Sequence, residues 1–130
     1  MEGRTFSGAA GLIHGWRAYL LQSSILRTPG HTPGNSTYVW KASQSGNAYT
    51  VVLPGSLSSS ARTIPLLKSL PCDVYLGAHG KFFDLREKYA RLQKGGANPY
   101  IDPNGYHAHI KLMEQSLYYK LDAAQRQPLR

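Results

Sequence analysis

The sequence is poor in cysteine and has no long apolar run. Cys72 is the only cysteine among 130 residues, which excludes an intrachain disulfide and a thiolate metal cluster. Any metal site must therefore be built from histidine and carboxylate side chains. Cys72 lies in an apolar stretch and is predicted to be a small buried hydrophobe. No window approaches the ~20 apolar residues of a membrane span, so no membrane partner is expected.

Acidic residues are also few, which leaves a formal charge of +8. Lysine and arginine are scattered from Arg4 to Arg130 without a run of like charge, so the charge gives only weak support for a nucleic-acid partner. The densest basic stretch, residues 81–94, also contains Asp84 and Glu87. We interpret that stretch as a solvated helix face.

The first 26 residues form an atypical N-terminal segment. Residues 1–16 are rich in glycine and lack a sustained period, and their apolar residues are interrupted before they reach the length of a signal sequence. No targeting segment is therefore predicted, and localisation stays open. Arg17 to Leu26 is typical of a strand.

Turn signals divide the rest into short elements. Two Pro-Gly pairs within residues 28–34 indicate a stiff loop. Asp102 and Pro103 indicate an N-cap and first turn of a helix, and Gly95-Gly96 indicates a helix end. The predicted order is strands at Ser36–Trp40 and Tyr49–Leu53 forming a hairpin, a helix at Ile64–Leu70, a strand at Asp73–Ala78, a helix at Leu85–Gln93, and a helix from Asp102.

This order predicts an α/β fold in which helices cover a mixed sheet. The last helix has an apolar stripe that should pack inward, formed by Tyr106, Ile110, Met113, Leu117 and Leu121. The domain is placed at residues 27–124, followed by a polar tail at residues 125–130. A sheet of this size would leave an apolar face or an edge uncovered.

The five histidines are not equivalent. His14 lies in the unpatterned lead-in, and His107 and His109 fall within the last helix, where residues two apart face different directions. His31 and His79 are each flanked by glycine at the tip of a rigid element, where an imidazole can be aimed at a metal. The residues alone leave open whether these two are ligands or ordinary histidines.

Four motifs give the chain a family resemblance. They are Gly30-His31-Thr32-Pro33-Gly34, Gly55-Ser56-Leu57-Ser58, the run from Leu70 through Gly77-Ala78-His79-Gly80, and Asn98 to Pro103. In this order they resemble the metallo-β-lactamase superfamily, and in particular the third subclass of metallo-β-lactamases, whose zinc ligands are all histidine and aspartate. The resemblance covers about residues 27 to 123.

The resemblance implies the C-terminal half of the αββα sandwich of that superfamily and a binuclear zinc site. His31 matches a ligand of the first zinc and His79 a ligand of the second, while Ser56 matches a serine that supports bound water or the substrate carboxylate. Zinc lowers the pKa of bound water to about 7 and polarises a carbonyl, which is the basis of β-lactam hydrolysis by metal-bound hydroxide. Complete members are commonly periplasmic or secreted.

The sequence departs from the family in three places. The H-x-H-x-D-H motif that supplies the remaining ligands is absent, the stretch after Ser58 is short, and residues 1–26 do not match. We therefore expect a fragment of a zinc-dependent hydrolase that is inactive alone and needs an N-terminal half as partner, and no catalytic residue is assigned. The alternatives are a non-catalytic remnant or binding module and an RNA-processing relative.

Overall fold

The structure, a computed structural model, describes residues 17–30, 32–55 and 61–125. Its elements follow the predicted order, with a 3-10 turn at Gly80–Phe82 in addition. They are strands β1 (Arg17–Arg27), β2 (Ser36–Gln44) and β3 (Asn47–Pro54), helix α1 (Thr63–Ser69), strand β4 (Val74–Tyr75), and helices α2 (Leu85–Gln93) and α3 (Pro103–Gln125). The α/β class is confirmed.

The four strands form one mixed sheet in the order β1-β2-β3-β4. The first three strands are antiparallel, and β2 and β3 form the predicted hairpin, whose turn has positive φ at Ser45 and Gly46. β3 and β4 are parallel and are joined through α1. β4 is much shorter than the predicted strand at Asp73–Ala78, because only two of its residues pair with β3 before the chain leaves the sheet.

Helices cover one face of this sheet. Val52 of β3 and Tyr75 of β4 point into a core formed with α1 and α3, in which Leu67 and Tyr106 are fully buried. The Tyr106 hydroxyl donates a hydrogen bond of 2.6 Å to the carbonyl of Leu67, which joins α3 to α1. This face is the main core of the described chain.

The opposite face is only partly covered. Val51 and Val74 form a small buried cluster with Ala42, on which residues of the segment before α3 pack. Towards β1 this face opens to solvent, because the paired side chains of Ile25 and Tyr38 are about half exposed. The part of this face next to β1 is therefore apolar and about half exposed.

Helix α3 begins as predicted but is buried over a shorter length. Asp102 accepts a hydrogen bond of 2.9 Å from the backbone N–H of Gly105, as an N-cap residue does. Tyr106, Ile110 and Met113 are buried, whereas Leu121 is 46% exposed. The predicted inward stripe is wrong at Leu121, because the helix runs on past the core. None of the helices in the described ranges is long and apolar enough to span a membrane.

The prediction that the basic stretch at residues 81–94 is a solvated helix face is wrong at Lys88. Lys88 lies in it but is buried, and its ammonium group contacts Asp102 Oδ2 at 3.0 Å. Burial opposes ionisation of Asp102, but the hydrogen bonds from Lys88 and Gly105 outweigh it and lower the pKa of that carboxyl group. Lys88 thus joins α2 to the start of α3, and the stretch is not solvated throughout.

Cys72 is buried, as predicted. Burial, together with the nearby charge of Asp73, raises the pKa of its thiol to about 12, so the thiolate is not formed at neutral pH.

We predict that Tyr106→Phe lowers the free energy of unfolding by about 1 kcal/mol, because it removes a buried hydrogen bond and leaves the packing of the ring intact. The matched control is Tyr118→Phe on the same helix, where the side chain is 63% exposed. Urea denaturation of the two variants checks this. An equal effect of both substitutions would contradict it.

A second prediction concerns His109 of α3. Burial lowers its pKa below the ordinary value of 6.5, with Asp84 acting in the opposite direction. The unfolded chain therefore takes up this proton at higher pH than the folded chain does, and the free energy of unfolding falls as the pH drops below about 6.5. We expect a smaller fall in His109→Gln than in the parent. His107→Gln, at an exposed position of the same helix, is the control for loss of a histidine, and a fall in His109→Gln as large as in the parent would contradict the prediction.

Candidate functional site

The site is built on the loop that follows β4. The backbone N–H of Leu76 still bonds to the carbonyl of Val52 at 3.0 Å, and the chain then leaves the sheet. His79 has an extended backbone, with φ −126° and ψ 139°, and is the N-cap residue of the 3-10 turn. Its side chain is exposed and makes no capping hydrogen bond. The imidazole is thus presented to solvent just beyond the end of a sheet strand.

The glycines on either side of His79 have a packing role. A Cβ at Gly77 would lie 3.0 Å from Phe82 Cβ, and one at Gly80 would lie 2.8 Å from Leu85 Cδ2. The sequence suggests that the glycines leave room for a metal. In the structure, the space beside Gly77 and Gly80 is taken by Phe82 and Leu85.

A series of aromatic rings leads from His79 into the core. The ring of His79 lies 5.4 Å from that of Phe82, which lies 6.0 Å from that of His109. His109 in turn lies 5.4 Å from the ring of Tyr75, a side chain that is 1% exposed. Phe82 belongs to none of the sequence motifs. Its spacing of three residues from His79 is a signal only once the 3-10 turn is known.

The other histidines of the described chain do not join His79 in a cluster of donors. His107 is exposed and packs on Tyr106, while His109 points inward, which confirms that these two lie on different faces of α3. Within the described ranges, His109 Nε2 and the Tyr75 hydroxyl are buried without a hydrogen-bond partner. The interpretation of His107 and His109 as an unsuitable metal pair therefore agrees with the structure.

His31, Ser56 and His14 lie outside the described residues, so the structure places none of them. It does describe the chain on both sides of His31 and the residue before Ser56. Thr63 of α1 donates a hydrogen bond of 2.5 Å to the carbonyl of Pro29, and the N–H of Gly55 bonds to the carbonyl of Ser36 at 2.9 Å.

A side chain at Gly55 would collide with the carbonyl of Ser36, so this close approach requires glycine. Hydrogen bonds therefore connect the residues before His31 to α1 and the residue before Ser56 to β2.

The strands that precede the three motif loops, β1, β3 and β4, all end at the same end of the sheet. Ser36 begins β2 at this end and pairs with Arg27, the last residue of β1. Pro54 ends β3 opposite Thr37, and β4 runs parallel to β3 and ends at Tyr75. The loops that contain residue 31, residue 56 and His79 therefore all leave the sheet at the same end. This is the arrangement by which layered α/β proteins collect functional residues.

The described residues do not make a metal site by themselves. In ranges 17–30, 32–55 and 61–125, no three histidine, cysteine, aspartate or glutamate side chains are grouped so as to hold a metal ion. The imidazole of His79 is a suitable donor for zinc by its chemistry and exposure, but a zinc site needs three or four such ligands. The described donor set alone does not fit zinc.

Of the comparisons with known proteins, only the one with solved structures finds matches. No family model matches the chain, and no curated protein does. The native FEZ-1 metallo-β-lactamase from Legionella gormanii has a TM-score of 0.76 and 30% identity, over 81% of this chain and 47% of that one. BJP-1, a subclass B3 metallo-β-lactamase of Bradyrhizobium japonicum, has a TM-score of 0.70 and 19% identity, over 89% of this chain and 48% of that one.

A metallo-β-lactamase from Cronobacter sakazakii has a TM-score of 0.70 and 23% identity, over 98% of this chain and 52% of that one. The chain thus spans about half the length of the structures that it matches. By its motifs and by its fold, it belongs to the metallo-β-lactamase superfamily, with a similarity that includes the third subclass, B3.

Proposed function

We propose that the chain is the C-terminal part of a zinc-dependent hydrolase of the metallo-β-lactamase type and that it does not hydrolyse β-lactams by itself. The observation that carries this proposal is the position of His79. It is exposed at the end of the sheet where the two other motif loops also emerge. The similarity to FEZ-1 supports the same assignment.

The proposed ligands are His31 for one zinc ion and His79 for the other, with Ser56 supporting bound water or a substrate carboxylate. One histidine per metal ion falls short of the three protein ligands of a usual catalytic zinc. The sequence contains no H-x-H-x-D-H motif that would supply the rest. A partner that supplies the N-terminal half of the site is therefore part of the proposal.

The partly uncovered sheet face favours the need for such a partner. Ile25 and Tyr38 are about half exposed on it, next to the partly buried Trp40. A sheet that packs on a second layer buries this kind of face.

A second candidate function is a non-catalytic binding module that keeps the fold and a weak affinity for zinc. The lack of a three-ligand group in the described ranges favours it for the chain alone. An RNA-processing role rests on the RNA-cleaving members of the superfamily and on the charge of +8, and it has weaker support because the sequence has no clustered basic patch. RNA binding that falls steeply with salt would favour that third function.

We predict that the purified chain with added zinc does not hydrolyse nitrocefin or a carbapenem above the rate of buffer with zinc, because it lacks the ligands that hold a reactive water. The measurement is absorbance over time at several protein concentrations, with and without a chelator. His79→Ala and His107→Ala serve as matched histidine variants.

Hydrolysis that a chelator stops, that His79→Ala abolishes and that His107→Ala retains would show a complete site in this chain and contradict the proposal. If all three proteins show the same small rate with and without chelator, the rate comes from a contaminant or from free metal. That result agrees with the predicted inactivity.

A further inference from the structure

The 3-10 turn after β4 stacks the side chain of Phe82 against that of His79. The backbone N–H of Phe82 donates to the carbonyl of His79 at 3.0 Å, which closes the turn. This hydrogen bond brings residue 82 back towards residue 79. The two rings accordingly lie 5.4 Å apart with an angle of 60° between their planes, a favourable tilted arrangement.

Phe82 is itself held from two other sides. Its Cβ lies so close to Gly77 that a side chain at that glycine would have to displace it. Its ring also contacts His109 of α3, and His109 packs on the fully buried Tyr75 of β4. Phe82 therefore connects an exposed histidine to two elements of the core.

We propose that Phe82 is a positioning residue for His79 and fixes the direction of its imidazole. A ligand that is already oriented loses less side-chain freedom when it binds. The purpose of this orientation rests on the proposed function, in which His79 is a zinc ligand. The contact between the two rings depends only on residues of this chain.

Lys81 is the other side chain close to the Phe82 ring, with its ammonium nitrogen 5.3 Å from the ring centre. It lies on the turn between the two aromatic residues and is exposed. Its cation contacts the ring of Phe82, whereas the His79 contact is between two rings. Substitution of Lys81 should therefore leave the His79 ring in place.

The test is NMR of the histidine ring protons in the full chain with a chelator present. In the parent we expect nuclear Overhauser contacts between the rings of His79 and Phe82 and a ring-current displacement of the His79 signals. Phe82→Leu should abolish both, Phe82→Tyr should keep both, and Lys81→Ala should keep both. Tyr119→Leu, which removes an exposed ring of α3, is the control for loss of an aromatic residue elsewhere.

Unchanged His79 signals in Phe82→Leu would overturn the proposal. If Phe82→Leu does not fold, as judged by the signals of His107 and the core tyrosines, Phe82→Tyr decides, and loss of the displacement in that folded variant also overturns it. Zinc added afterwards separates the two claims. If the His79 signals change in Phe82→Leu but do not change when zinc is added, the positioning role of Phe82 is supported. The proposed role of His79 as a zinc ligand is then contradicted.

Discussion

The parallel pairing of β3 and β4 is the interaction on which the candidate site depends. Asp73 donates its backbone N–H to the carbonyl of Thr50 at 2.9 Å and accepts the N–H of Thr50 on its carboxylate at 2.7 Å. Further along the chain, the backbone N–H of Leu76 donates to the carbonyl of Val52 at 3.0 Å. These bonds set the register of a strand only two residues long, and its parallel direction fixes the end of the sheet at which His79 emerges.

Much of the fold could be predicted from local sequence because local chemistry determines it. The β2–β3 hairpin, the Asp102 cap and the end of α2 near Gly95 depend on turn and capping residues that act within a few positions. The short β4, the exposed Leu121 and the buried Lys88 depend on where other elements end. A local propensity pattern contains no information on where the ends of the other elements lie in space.

The candidate site shows the same division. The motif predicts His79 as a zinc ligand, and the structure shows its exposure after β4 without testing that role. The two faces of α3 separate His107 from His109 in sequence and structure alike. Phe82 could not be identified from a motif, since its contact with His79 requires the 3-10 turn at Gly80–Phe82, for which the local sequence has no clear signal. His31 and Ser56 lie outside the described residues, so their roles stay predictions from the family resemblance.

The central claim is that His31 and His79 are zinc ligands of an incomplete site. Zinc titration of the metal-free chain, followed by the imidazole signals of all its histidines, tests it most directly. The account predicts chelator-reversible changes at His31 and His79 and none at His107. It also predicts weaker zinc binding by His31→Ala and by His79→Ala, but not by His107→Ala. Zinc binding by both ligand variants that equals that of the parent would contradict the claim.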